Sequence, residues 1–170
     1  MKKILIILSF IIVFLIYTKE ENKITIPDNS IRIRVIANSN SIEDQYIKLQ
    51  VKEKVSNVLY NKLKDIKNIE IARSKIKNSI TEIDKIVNNT TKSDNYTINY
   101  GNNYFPQKKL YGIDYKEGNY ESLVINLGES KGNNWWCVLF PPLCMLESSK
   151  NNKDNIEYKS KVIEILNEYK

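Results

Sequence analysis

Apolar residues recur at two different spacings in the first half of the chain, and each spacing predicts a different kind of element. In residues 31–37 every second side chain is apolar and two arginines lie between them, which predicts a half-buried strand. Across residues 42–64 the apolar positions recur every three or four residues, which predicts an amphipathic helix with Ser41 as its N-cap. A second helical pattern covers residues 69–87 and ends in a polar run. The two helices are expected to form an antiparallel pair that lies on a sheet.

After residue 95 the pattern becomes that of strands. Residues 96–100 favour a strand, Gly101 marks a turn or bulge, and an irregular strand segment covers residues 104–112. Residues 120–127 alternate, and a long hairpin loop with two glycines joins them to residues 135–140. This last strand has no polar side chain other than a thiol, so both of its faces should be covered. Such a strand is predicted to be central in its sheet.

The end of the chain carries one more helical pattern. The predicted order is then strand, two helices, three or four antiparallel strands and helix. It indicates an α+β fold, in which an antiparallel sheet of about four strands is covered by the antiparallel helix pair and the C-terminal helix. A polar linker precedes the final helix, whose apolar face holds Tyr158, Val162, Ile165, Leu166 and Tyr169.

The N-terminal end has the composition of an export segment. Lys2 and Lys3 precede an almost unbroken apolar run, residues 4–17, which as a helix spans about 21 Å, short of the ~30 Å hydrocarbon core. That length is typical of a signal peptide, but no small-x-small cleavage site follows Tyr17, so an uncleaved anchor stays open. Either way, the rest of the chain is expected outside the cytoplasm. The predicted division is a signal peptide or signal anchor, a tether and a single extracytoplasmic α+β domain, at residues 1–18, 19–30 and 31–170.

Composition excludes several classes of function. The net charge is +6, but Lys and Arg are spread through the chain without a long run, so no nucleic-acid partner is expected. The chain has no histidine, which removes Ser-His-Asp and Cys-His catalysis and the usual zinc sites. It has no Walker loop and no glycine-rich dinucleotide fingerprint. No cofactor, metal site or catalytic residue is therefore predicted.

The two cysteines flank a Pro-Pro corner. In an exported protein a disulfide between Cys137 and Cys144 is reasonable, because the prolines could fold the chain back and bring the two Cα atoms within ~6 Å. The alternative is a pair of small buried apolar side chains. The disulfide is the prediction, and the buried thiols remain the alternative.

Two further functions stay open from the residues alone. Tyrosines and tryptophans could form a platform that stacks on wall sugars, although tyrosines also simply favour strands. Carboxylates near the turns could form the acid pair of a hydrolase, although charged groups near turns are usually solvated. The residues concerned are Tyr96, Tyr100, Tyr104, Tyr111, Tyr115, Tyr120, Trp135 and Trp136 for the platform, and Asp114, Glu117, Glu121 and Glu129 for the hydrolase.

Two stretches resemble a known family. Residues 35–55 are VIANSNSIEDQYIKLQVKEKV, and residues 111–144 are YGIDYKEGNYESLVINLGESKGNNWWCVLFPPLC. The pattern ANSxSxxDQxxKLxVK with a downstream GxxxGxNWWCVLFPPLC is long and specific, and it resembles the stage II sporulation protein R family of endospore-forming bacteria. The chain departs from that family at Lys116 and Glu117, where a more apolar Pro-Ala pair is expected.

The resemblance implies a role in signalling. Members of that family are made in the forespore and exported into the space between the two septal membranes. There they trigger a membrane-embedded aspartic protease of the mother cell, which cleaves the precursor of the early mother-cell sigma factor. The chain is then expected to be a ligand of that protease and not an enzyme. It would also be held at the membrane if its N-terminal segment is uncleaved.

The residues of the two motifs divide into a structural and a contact group. Those expected to be purely structural are Ile33, Val35, Leu49, Val51, Val138 and Leu139. The candidate partner contacts have a weaker structural reason, although the polar ones could be only a helix cap. They are Asn38, Ser39, Ser41, Asp44 and Gln45 in the strand-to-helix turn, together with Trp135, Trp136, Pro141 and Pro142.

Overall fold

The computed structural model describes residues 24, 26–110, 113–144 and 155–169 of the chain. No helix in these residues is long and apolar enough to cross a membrane, and the predicted export segment lies outside them. In chain order the elements are β1 (Ile31–Ile36), α1 (Ile42–Leu63), α2 (Ile69–Asn78), α3 (Ile80–Thr91), β2 (Tyr96–Phe105), β3 (Lys108–Leu110), β4 (Ile113–Tyr115), β5 (Gly118–Leu127), β6 (Asn134–Phe140) and α4 (Asn155–Glu168).

Four strands form one mixed sheet in the order β2-β5-β1-β6. β1 runs parallel to β5, with Ile33 opposite Leu123, and antiparallel to β6, with Ile33 opposite Cys137. β2 and β5 are antiparallel, and β3 and β4 form a separate two-stranded ladder. The α+β class is confirmed. The purely antiparallel sheet is wrong, because β1 lies between β5 and β6 and separates the two strands of the predicted hairpin.

β6 is an edge strand of this sheet and not, as its apolar sequence predicts, a central one. Its side chains are nevertheless buried on both faces. Cys137 and Leu139 belong to the apolar cluster beneath the helices, whereas Trp136 and Val138 belong to a second cluster on the opposite face. An apolar run shows that both faces of a strand are covered, but it does not show how many strands pair with it.

The second cluster is closed by parts of the chain that are distant in sequence. Phe105 and Trp136 of the sheet pack there with Val162 and Leu166 of α4, which confirms the predicted C-terminal helix. Ile26, from the segment predicted to be a tether, is also buried in this cluster, with 4% of its surface exposed. Each buried aliphatic side chain of this size contributes about 1.5–3 kcal/mol.

Helix α1 begins and ends where the sequence predicts. Ser41 is its N-cap, and the Ser41 Oγ accepts a hydrogen bond from the backbone N–H of Asp44 at 3.1 Å. Acidic residues in the first turn complement the positive end of the helix dipole. The apolar residues by which this helix packs in the core are all at most 1% exposed: Val51, Val55, Leu59 and Leu63.

The second predicted helix is divided into α2 and α3 at Ser79. The Ser79 Oγ donates a hydrogen bond to the carbonyl oxygen of Lys75 at 2.7 Å, and its backbone N–H bonds to the carbonyl oxygen of Ile76 at 3.0 Å. Serine competes in this way with the regular helical bonds. The apolar period continues across the break, since Ile76 and Ile83 are both fully buried, and the pattern alone therefore predicts one helix.

β2 continues through Gly101, where the sequence predicts a turn. Gly101 pairs with Ser122 within an unbroken ladder that runs from Tyr96 to Phe105. A Cβ at Gly101 would have Asn99 Oδ1 as its nearest neighbour, at 3.9 Å, so the backbone does not need glycine there.

Arg32 is buried on β1, in a position where the sequence predicts exposure. It is 2% exposed, and its guanidinium carbon lies 3.3 Å from the centroid of the Tyr120 ring and 5.5 Å from that of Phe105. Its Nε and Nη1 have no hydrogen-bond partner among the described residues, and burial lowers the pKa of the guanidinium. Aromatic faces therefore take the place of water around this charge.

Candidate functional site

The polar turn after β1 is tied to the loop that precedes β6. Asn38 forms the centre of this connection. Its Oδ1 accepts a hydrogen bond from the backbone N–H of Glu129 at 2.9 Å, and its Nδ2 donates to Asp44 Oδ2 at 3.0 Å. Its carbonyl oxygen accepts a hydrogen bond from the backbone N–H of Lys131 at 3.0 Å. One asparagine thus connects the turn, the first turn of α1 and the β5–β6 loop.

Asp44 accepts two hydrogen bonds on a single oxygen atom. The Ser39 hydroxyl donates to Oδ2 at 2.5 Å, beside the bond from Asn38. These bonds, from Ser39 first and Asn38 second, hold the pKa of the Asp44 carboxyl below its usual value, so the group is an anion at neutral pH.

Gln45 and Lys48 extend the network towards β6. Gln45 Nε2 donates to the carbonyl oxygen of Ser39 at 2.8 Å. Lys48 Nζ donates to Gln45 Oε1 at 2.6 Å and to the carbonyl oxygen of Asn133 at 3.3 Å. The Asn133 N–H in turn donates to Asn40 Oδ1 at 2.7 Å. Lys48 is only 6% exposed, and this burial lowers its pKa.

Two glycines allow the turn and the loop to approach this closely. Gly128 has a φ of +55°, and a Cβ on it would lie 2.2 Å from Asn38 Oδ1. A Cβ on Gly132 would lie 2.2 Å from the carbonyl oxygen of Ser39. We call this interlocked arrangement of residues 38–48 and 128–133 the turn lock. The two sequence motifs are therefore two halves of one structure.

All the polar residues predicted as partner contacts have a structural role in or beside the turn lock. Four belong to its hydrogen-bond network and one caps α1, which confirms the cap. Their contact with a partner stays a prediction. They are Asn38, Ser39, Asp44 and Gln45 in the network, and Ser41 at the cap.

A cavity of about 170 Å³ lies beside the turn lock. Asp44 and Gly128 line it on the side of the lock, Ile47 and Leu127 give it apolar walls, and Thr91 closes it from the end of α3. We call it the Asp44 cavity. Sequence reasoning misses it, because the segment around residues 91–95 meets the lock only in the folded chain.

The aromatic and proline candidates differ in their burial. Trp136 is 5% exposed, its ring centroid lies 5.1 Å from that of Phe105, and Pro141 is also buried. Trp135 and Pro142 are half-buried and reach the surface. The burial of Trp136 and Pro141 gives both a packing role, and contact with a partner stays a prediction for all four residues.

Cys137 and Cys144 are buried thiols in this structure, and the predicted disulfide is not formed. Both sulfur atoms lie near the carbonyl oxygen of Val138, at 3.7 Å from Cys137 and 3.0 Å from Cys144. The pairing of the two cysteines stays a prediction. A thiol titration of unfolded protein prepared without reductant gives two thiols per chain for the state described and none for the disulfide.

One of the predicted hydrolase carboxylates, Glu121, is engaged by a cation and a hydroxyl. Glu121 lies 2.8 Å from Arg73 Nη2 and accepts a hydrogen bond from the Tyr100 hydroxyl at 2.5 Å. Burial opposes ionisation of Glu121, but the bonds from Arg73 and Tyr100 outweigh it and lower its pKa, so it is unsuited to act as a general acid. Asp114 is exposed on β4. Among the described residues no cluster of His, Cys, Asp and Glu could hold a metal ion.

The tyrosines predicted to form a platform are divided between the two faces of the sheet. This division leaves no platform for a sugar that includes all of them. Tyr115 and Tyr120 are buried in the second cluster, Tyr96 and Tyr100 pack against the first, Tyr104 is 56% exposed, and Tyr111 lies outside the described residues.

Three large apolar side chains of α1 are exposed. Ile42, Tyr46 and Leu49 are 92%, 61% and 50% exposed, and their spacing of four and three residues places them on one face of the helix. We call them the α1 stripe. The prediction that Leu49 is purely structural is wrong, because it belongs to this stripe and not to the buried face with Val51 and Val55. The sequence already shows this exposed set, because its spacing forms a second apolar stripe on the same helix.

Comparison with known proteins places these features in a family. The sequence model of the stage II sporulation protein R family matches residues 27–150, which include both halves of the turn lock. A relative from Bacillus subtilis (strain 168), stage II sporulation protein R, is 39% identical over 136 residues, which cover 77% of this chain and 61% of the relative. The match thus spans less than two thirds of the relative's length. No solved structure matches the chain.

Proposed function

The chain belongs to the stage II sporulation protein R family, and from that premise we propose that it is an exported sporulation signal. On this proposal it is made in the forespore and acts in the space between the forespore and mother-cell membranes. There it activates the membrane-embedded aspartic protease that processes the precursor of the early mother-cell sigma factor. Residues 1–18 deliver the domain to that space as a signal peptide or signal anchor.

Family membership carries the proposal, and the α1 stripe supports the role of a ligand. Soluble proteins rarely expose several large apolar side chains together unless they bind a partner. Burying a side chain of this kind contributes about 1.5–3 kcal/mol, so partial burial of three supplies roughly 3–6 kcal/mol before the costs of association. An activator needs a difference of a few kcal/mol between its affinities for the active and the idle state of its target.

The two alternatives have less support. A glycan-binding platform needs several aromatic rings on one accessible face. The platform tyrosines that the structure describes lie on two faces of the sheet, and Trp136 is buried in the second cluster with Tyr115 and Tyr120. A hydrolase needs a carboxyl that holds a proton, and Glu121 is instead kept ionised by Arg73 and Tyr100.

The proposed function is tested by deleting the gene in a sporulating strain. The sigma-factor precursor is expected to stay uncleaved while the protease is still made, and expression of the full chain restores cleavage. Normal cleavage in the deletion strain would end the proposal.

The α1 stripe is tested by variants expressed in that deletion strain. Leu49→Glu in the full chain is expected to reduce precursor cleavage without lowering the melting temperature, because the side chain is half exposed. Ile71→Glu on α2 is the matched control, since Ile71 is also 50% exposed. Equal cleavage with the two variants would show that the α1 stripe is not the docking face. It would not contradict the signalling role.

A further inference from the structure

The Asp44 cavity combines a carboxylate with apolar walls. The hydrogen bonds from Asn38 and Ser39 both end on Oδ2 of Asp44, and Asp44 lines the cavity. Ile47 and Leu127 line the same cavity. Its volume of about 170 Å³ is sufficient for a side-chain-sized group, since a cavity of about 150 Å³ holds a benzene molecule.

The charge that lines the cavity favours a cation, although the chain as a whole is basic. Thr91 lines the cavity and is the last residue of α3, where the helix dipole is negative. The start of α1 has the opposite sign, but its first turn already carries Glu43 and Asp44, which offset that charge. The residues beside the lining ones carry both signs, since Lys92 and Asp94 flank Ser93 and Lys131 pairs with Glu129 at 2.6 Å. Among the residues that line the cavity, Asp44 alone is ionisable, so an anion would meet its carboxylate at a cost.

We propose that the Asp44 cavity receives one basic side chain, a lysine or an arginine, of the protein partner. The aliphatic stem of that side chain packs between Ile47 and Leu127, and its charged end forms a charge-assisted hydrogen bond with the Asp44 carboxylate. The chemistry of the ligand rests on the cavity, whereas the identity of the partner rests on the proposed function. The turn lock then has a second role, because its bonds to Oδ2 hold the carboxylate in place before the partner arrives.

The ligand chemistry is tested with the full chain in a nonionic detergent and three small probes. N-acetyl-lysine amide and N-acetyl-arginine amide carry the cation, and N-acetyl-norleucine amide carries a similar stem without charge. The backbone NMR signals of Asp44, Thr91 and Gly128 are expected to shift with the two cations only. Equal shifts with all three probes, or no shift at about 50 mM, overturn the proposal.

Asp44→Asn separates the two roles of Asp44, which are its negative charge in the cavity and its hydrogen bonds in the turn lock. The amide oxygen of asparagine can accept the bonds from Asn38 and Ser39 in place of Oδ2, while the charge at the cavity is lost. The variant is expected to keep its melting temperature within about 2 °C of the parent chain, since the lock is retained. It is also expected to lose the cation-specific shifts, and retention of those shifts in the folded variant contradicts the role of Asp44.

Ser93→Arg tests the cavity in cells, because the new arginine side chain can occupy it in place of the partner's side chain. Ser93 is exposed and lines the cavity, so an arginine there can place its guanidinium at Asp44 and exclude the partner's side chain. Precursor cleavage is expected to fall about tenfold, the effect of roughly 1.4 kcal/mol of lost binding. Ser74→Arg, at an exposed position on α2, is the matched control. Equal cleavage with Ser93→Arg and Ser74→Arg refutes the cavity as a docking site but not the signalling role, which only the deletion strain tests.

Discussion

Replacing Gly128 with alanine measures how much the turn lock stabilises the fold. A φ of +55° costs a non-glycine residue about 1–2 kcal/mol. The new Cβ would also lie 2.2 Å from Asn38 Oδ1, so Asn38 must move and give up its bonds to Glu129 and Asp44. Overpacking of this kind costs about 1–3 kcal/mol more. The free energy of unfolding is therefore expected to fall by about 2–5 kcal/mol, out of a total of roughly 5–15 kcal/mol.

Two further variants separate the causes of that loss. Gly101→Ala has open space around its Cβ and is expected to raise the free energy of unfolding by about 0.5–1 kcal/mol, because a strand favours alanine over glycine. In an Asn38→Gly background the steric part disappears, because the atoms that a Cβ at residue 128 would meet include the Asn38 Cβ itself, at 2.8 Å. Gly128→Ala should then cost only the backbone strain of about 1–2 kcal/mol. Urea unfolding followed by circular dichroism measures all five chains, which are the parent, the two single glycine variants, and the Asn38 variant with and without Gly128→Ala. The same cost for Gly128→Ala with and without the Asn38 side chain refutes the reasoning.

Two other predictions concern charged groups on the sheet. Glu121 has a lowered pKa, so its contribution to stability is present above the unfolded-state pKa of about 4.3 and is lost as the pH falls through the folded-state value. Glu121→Gln should therefore lower the free energy of unfolding by about 1 kcal/mol at pH 7 and by much less near pH 2, and a loss of equal size at both pH values contradicts the role of the Arg73 pair. Arg32→Lys should be less stable than Arg32→Met by roughly 1–3 kcal/mol in thermal unfolding, because lysine is more strongly hydrated and does not stack on Tyr120 as a guanidinium does. If Arg32→Met is instead the less stable variant, stacking on the aromatic rings does not stabilise the buried guanidinium.

The local structure of the chain is largely predictable from its sequence, whereas the pairing of its strands is not. Helix α1 has its N-cap at Ser41 and its apolar face within one stretch of sequence, so both follow from nearby residues. The place of β1 between β5 and β6 depends on residues that are distant from it in the chain. The alternating apolar pattern of β1 does not show which strands pair with it. The edge position of β6 does not follow from the sequence for a related reason, since α1 and α4 cover its two faces without any change in its apolar pattern.

The candidate site shows the same division between near and distant residues. Asp44 and Gln45 stand out in the sequence as polar motif residues, and the first motif alone suggests a helix cap. Their bonds to the loop at 128–133 appear only when the second motif is brought against the first by the sheet. The Asp44 cavity needs a third segment, at the end of α3, and no spacing rule connects that segment to either motif.

The position of β1 in the sheet has a consequence for the order in which the chain can fold. β1 is the first strand made, but its partner Ser122 on β5 follows Arg32 by about 90 residues, and β6 follows later still. At a synthesis rate of about 5–20 residues per second, several seconds pass before the sheet can close. Helices α1 to α3 can form during that interval, but the apolar face of β1 has no sheet to join. A chain truncated before β5 therefore has no closed core, and folding is completed only when nearly the whole domain has been made.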